Sequence, residues 1–173
     1  VEDVASVRFL AGRGADVDAL DKRGETPLMW VVKRKEADPT ARALVELGAD
    51  VNATSKRGRT ALFDAAYSGD AAMIAFFAEH GANLDHDEEP GFTALEMAAR
   101  SDNQGTAKAL LDAGATPTPE AFETARMYGH SAMAALIQGA LRAMDPNAGG
   151  PDETPLQVAE RLGVMAARSA DDS

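Results

Sequence analysis

Cysteine is absent from all 173 residues, which excludes disulfides and thiolate metal sites and leaves the redox compartment open. Basic residues are in the minority: 17 Lys and Arg stand against 28 Asp and Glu, a net charge of −11. Nucleic acid favours a broad basic surface, so such a partner is not expected. No apolar run approaches the roughly 20 residues that cross a bilayer, and no membrane partner is expected either. Motifs of catalysis are missing too. No Ser or Thr sits in a nucleophile motif and no glycine-rich phosphate loop is present. The expectation is therefore a non-enzymatic chain without cofactor or metal. The first residue is Val1 and no signal peptide is legible, which is read as a fragment or processed form. Cytoplasmic placement is the default expectation, with periplasm or secretion left open. The bias toward Ala, Arg, Gly and Asp resembles bacterial composition.

What the chain does have is a period. Gly24, Gly58 and Gly91 follow one another at 34 and 33 residues, as do Thr26, Thr60 and Thr93. Gly14, Gly48, Gly81 and Gly114 step by 34, 33 and 33. A repeat of this length marks a stacked array in which each unit buries its apolar face only against its neighbours.

The stretch from Gly58 to Leu84 shows one unit. Thr60 suits a helix N-cap, followed by a short helix through Ala61–Ala66. Gly69 breaks it. A second helix carries Met73, Ile74, Phe76 and Phe77 at spacings of three and four and stops before Gly81. An extended arm, Ala82-Asn83-Leu84-Asp85, leads to the next unit. In the unit before, Pro27 occupies the first helical position, and Asp38-Pro39 reads as the cap and first position of the second helix.

Thr26-Pro27-Leu28, Thr60-Ala61-Leu62 and Gly48-Ala49-Asp50-Val51-Asn52-Ala53 resemble the ankyrin repeat, whose pattern runs G-x-T-P-L-H-x-A-A, then G-H, then G-A-D-V-N-A. Gly14–Ala19 and Gly81–Asp85 are close variants. The resemblance implies an all-α solenoid with short β-hairpin arms, of about five to six units including caps. The expected division is a partial unit or cap at 1–20, repeats at 21–53, 54–86, 87–115 and 116–145, and a loop with a capping unit at 146–173. Met29, Phe63, Glu96 and Gln157 replace the family histidine, which implies less regular stacking. Asp102-Asn103 replaces Gly-His, with Asn103 expected at positive φ. Two prolines, Pro117 and Pro119, predict a rudimentary fourth arm.

The same resemblance places binding on the concave surface, made of the arm tips and the exposed faces of the first helices. By register these are Lys22 and Arg23, then Lys56 and Arg57, with Arg59 just beyond the second tip. On the helices they are Trp30, Arg34, Asp64, Tyr67, Met97, Arg100 and Tyr128. Trp30 is the single tryptophan, and Trp, Tyr and Arg dominate interface hot spots. Charge is segregated as well: the first two tips are basic, whereas Asp85-His86-Asp87-Glu88-Glu89 is acidic, a dipole that would orient a partner.

These features favour a protein-binding module, monomeric until bound, that regulates, inhibits or localises its partner; an inhibitor or immunity-type protein facing a basic target is the narrow version. A scaffolding or targeting segment of a larger protein or effector is the alternative. A metal-dependent enzyme using arm 85–89 is a remote one, because that arm lacks the spacing of a calcium loop. Of the histidines, His80 ends a helix and His130 follows the turn glycine, both structural positions.

Overall fold

Thr at the entrance of each first helix and left-handed residues at its exit divide the chain into helical pairs joined by extended arms. The computed structural model describes residues 3–34, 38–88, 91–144 and 157. Among these, α1 (Val4–Ala11) stands as the second helix of the first unit, without a described first helix. Pairs follow in order: α2 (Pro27–Val32) with α3 (Asp38–Glu46), then α4 (Ala61–Ser68) with α5 (Ala71–Glu79). The arm strands β1 (Asp87–Glu88) and β2 (Phe92–Thr93) come next. They precede α6 (Ala94–Arg100) with α7 (Gln104–Asp112), and α8 (Pro119–Met127) with α9 (Ser131–Ala143).

The first helices start where the sequence places a threonine. The hydroxyls of Thr26, Thr60, Thr93 and Thr118 accept the N–H of Met29, Phe63, Glu96 and Ala121. At Thr93 the cap is doubled, because Glu96 Oε2 accepts the Thr93 N–H at 2.6 Å. Glu96 thus gives the position that the family assigns to histidine a capping duty. Met29 and Phe63, in the same register, are buried apolar residues.

The first helices stack in one row, α2 on α4 on α6 on α8. In the second row α1 packs on α3, and α5 on α7 on α9. Small residues let the rows approach: Ala65, Ala66, Ala98, Ala99, Ala121 and Ala125 are fully buried. Phe77, Ile74, Leu110, Met133 and Ile137 fill the seam between rows.

The arms are tied by one recurring position, four residues after the closing glycine. Asp18 accepts the Asp50 N–H at 3.1 Å. Asn52 accepts the Asn83 N–H at 2.7 Å and donates to the Gly81 carbonyl at 2.9 Å. Asp85 accepts the Thr116 N–H at 2.8 Å and its hydroxyl at 2.6 Å. Neighbouring arms therefore stay in register without the family histidine. The first two tips are also tied, since Lys56 donates its backbone N–H to Arg23 and its Nζ to the Lys22 carbonyl. Gly24, at φ 73°, allows this approach; a Cβ there would stand 3.0 Å from the Lys56 nitrogen.

Two expectations change. The residue at positive φ in the fourth turn is Asp102 (φ 52°), not Asn103. Asn103 instead donates its side-chain amide to the Ala66 and Tyr67 carbonyls, linking turn to turn. His130 does the same at the next turn, against the Ala99 carbonyl at 2.9 Å. Asp38, expected as the cap, is instead the first residue of α3. As expected from its prolines, the segment after Gly114 runs directly into α8 with no strand pair. The expected capping unit at 146–173 lies outside the described residues except for Gln157, and so do Glu89 and Pro90.

Candidate functional site

Of the residues expected on the concave surface, the three large rings are exposed in the structure. Trp30, Tyr67 and Tyr128 are 53%, 62% and 48% exposed. Such exposure is unusual for large rings and leaves their faces available for contact. Trp30 is held in place: its indole N–H donates to Asp21 Oδ2 at 3.1 Å. The Glu25 N–H first, and the indole second, hold the Asp21 carboxyl below its ordinary value. Arg100 lies over the Tyr128 ring at 5.8 Å, pairing two ridge residues. Arg34 is exposed at the end of the second unit's first helix. The tip residues Lys22, Arg23, Lys56 and Arg57 are exposed too.

Asp64 and Met97 depart from the expectation. Register places both on the displayed side of their helices, yet they are 3% and 8% exposed. Asp64 is covered by Lys33 and Arg59, whose cationic groups lie on its carboxylate, whereas Trp30 at the same register stays exposed. Asp64 instead centres an ionic chain across three units. Lys33 Nζ stands 2.6 Å from Glu25 Oε1 and 3.7 Å from Asp64 Oδ2. Arg59 Nη2 stands 3.2 Å from Asp64 Oδ1, and its Nε 3.4 Å from Glu88 Oε1. Arg59 also lies over the Phe63 ring at 5.0 Å, and Phe63 meets Phe92 edge to face.

Burial pushes the Asp64 carboxyl up from 3.8 to about 6, against the pull of Arg59 and Lys33. Burial wins because those cations are shared: Glu25 and Glu88 draw on the same charges and themselves disfavour a further anion. Glu88 is likewise raised, again by burial first. Sequence reasoning singled out Asp64 and Arg59 but left Glu25, Lys33 and Glu88 out of the site. The available signal was position: Glu25 stands just ahead of α2, Lys33 caps its C-terminal end, and Glu88 belongs to the acidic arm.

Beside this chain opens a pocket of about 890 Å³. Lys33, Arg59, Asp64, Tyr67, Met97 and Ser101 are among its lining residues. The acidic arm has other duties than metal binding. Asp85 holds Thr116, His86 Nε2 contacts the Gly58 carbonyl at 2.8 Å, and Glu88 faces Arg59.

The family model for ankyrin repeats (3 copies) matches residues 2–87 and 36–121. A stretch of 108 residues, 62% of this chain, is 31% identical to part of the transient receptor potential cation channel subfamily A member 1 homolog of Caenorhabditis elegans. The match spans 9% of that curated relative's length. No described helix is long and apolar enough to cross a membrane.

Proposed function

The chain belongs to the ankyrin-repeat family, whose members are generally protein-interaction modules, and from this premise we propose that it binds a protein partner through its concave face, without catalysis, and regulates, inhibits or localises that partner. One observation carries the reading: the exposed ridge of Trp30, Tyr67, Arg100 and Tyr128 along that face, with Trp30 anchored by Asp21. Rigid, half-exposed rings offer contact area at little entropic cost. The basic tips Lys22, Arg23, Lys56 and Arg57 would steer and orient the partner.

A second reading is a docking segment within a longer polypeptide. It is favoured by the worm relative, in which the matched stretch occupies 9% of the chain. The relative's channel activity belongs to that protein and is no part of the proposal.

Affinity capture with wild type beside a triple variant, Trp30→Ala with Arg34→Ala and Tyr67→Ala, tests the first reading. A partner held by wild type and lost by the folded variant is the expected outcome, with at least about a tenfold weaker Kd for loss of one or more hot spots. Equal retention would move the site to another surface.

A further inference from the structure

Two buried side-chain atoms of residues lining the pocket beside Asp64 lack a hydrogen-bond partner among the described residues: Asp64 Oδ2, an acceptor, and Arg59 Nε, a donor that already faces Glu88 Oε1 at 3.4 Å. Asp64 is 97% buried by side-chain exposure, and its Oδ2 accepts no hydrogen bond among the described residues. Lys33 Nζ, at 3.7 Å, is beyond hydrogen-bond reach and is already engaged by Glu25. Arg59 is divided between Asp64 Oδ1 and Glu88. The cluster holds two cations and three carboxylates, so it carries one net negative charge when Asp64 is ionised. Tyr67 and Met97 also line the pocket, a ring and a thioether suited to an aliphatic stem with a cationic head.

Resting on the concave-face reading above, we propose that this pocket is a socket for a basic side chain, a lysine or arginine, of the protein partner. The head group would donate to Asp64 Oδ2 while its methylenes lie between Tyr67 and Met97. An anionic ligand would be set against Asp64 and would have to take Lys33 and Arg59 from Glu25 and Glu88. The net charge of −11 on the chain favours approach of the same basic partner.

The socket is linked to protons with a definite sign. A cation at Oδ2 favours the ionised carboxyl, so binding is strong above pH 6 and weakens as Asp64 takes up a proton below it. The charged groups around Asp64 are Glu25 and Lys33 from the second unit, Arg59 ahead of α4, Glu88 on β1, and Arg100 exposed on α6. His86, bonded to the Gly58 carbonyl next to Arg59, is the nearby histidine.

The test is an NMR titration of the isotope-labelled full chain with Nα-acetyl-lysine methylamide, and with the uncharged norleucine analogue as the control. At pH 7.5 the lysine derivative is expected to shift the resonances of Asp64, Tyr67 and Met97, and the norleucine derivative is not. Binding should be about tenfold weaker at pH 5, where a carboxyl titrating near 6 is mostly protonated. Asp64→Asn should lose about tenfold at pH 7.5 and all of the pH dependence, whereas His86→Asn should keep it. Lys33→Gln, which removes a competing cation and leaves Asp64 in place, should bind more tightly. The proposal is overturned by an equal response to norleucine amide, by no response at the solubility limit, by tighter binding of acetate than of the lysine derivative, or by an unchanged affinity in Lys33→Gln. The titration uses no partner, so its failure leaves the capture result standing, and a failed capture leaves the titration standing.

Discussion

Asp64 shows how one buried group can set a response that its neighbours do not cancel. Its native carboxyl binds a proton more tightly than the unfolded chain does, about 6 against 3.8. It therefore adds stability that is fully present below pH 3.8 and is lost as pH rises through about 6. The difference amounts to roughly 3 kcal/mol. Urea unfolding of wild type and Asp64→Asn between pH 4 and 7.5 should show wild type losing about that much relative to the variant. Parallel stability curves would mean that Arg59 and Lys33 outweigh burial.

Among the helices and their caps, the fourth unit is the informative one. Its first helix begins at Thr93, whose N–H donates to the Glu96 carboxylate, and both residues are buried. Glu96→Ala would orphan that donor and cost about 1–3 kcal/mol, seen as a lower thermal midpoint, while Glu96→Gln should recover most of it. Equal stability of Glu96→Ala and wild type would show that the neighbouring arm, not the cap, places α6. The same unit shows why a turn can be read from sequence and its details misassigned. Asp102-Asn103 reads correctly as a turn, but the left-handed residue is Asp102. Asn103 stands at φ −82° and ψ 74°, with its side-chain amide bonded to the Ala66 and Tyr67 carbonyls, residues more than thirty positions away.

The stacked array should unfold unevenly, since each unit touches only its neighbours. Trp30 is the single tryptophan and reports the second unit, whereas far-ultraviolet dichroism reports every helix. Ile137 is fully buried on α9, and Ile137→Ala should cost about 2–5 kcal/mol at that end. In urea the dichroism of this variant should begin to fall before the Trp30 fluorescence does. Ile74→Ala, in the middle unit, should move both signals together. Coincident transitions in Ile137→Ala would mean that the units couple strongly enough to melt as one.

The period, the threonine caps, the turn glycines and the apolar spacing of the second helices were legible in the residues. Each rests on local chemistry: a hydroxyl facing free N–H groups, a backbone that admits positive φ, a side chain recurring every turn. Register alone gives Trp30, Asp64 and Met97 the same place on their helices. Contacts with the neighbouring units then decided between them, leaving Trp30 at the surface and burying Asp64 and Met97. Packing also gathered Glu25, Lys33, Arg59, Asp64 and Glu88 from three units into one ionic chain beside a pocket. Such a cluster depends on how close adjacent units come, a distance set by the side chains of both neighbours and carried by no single repeat.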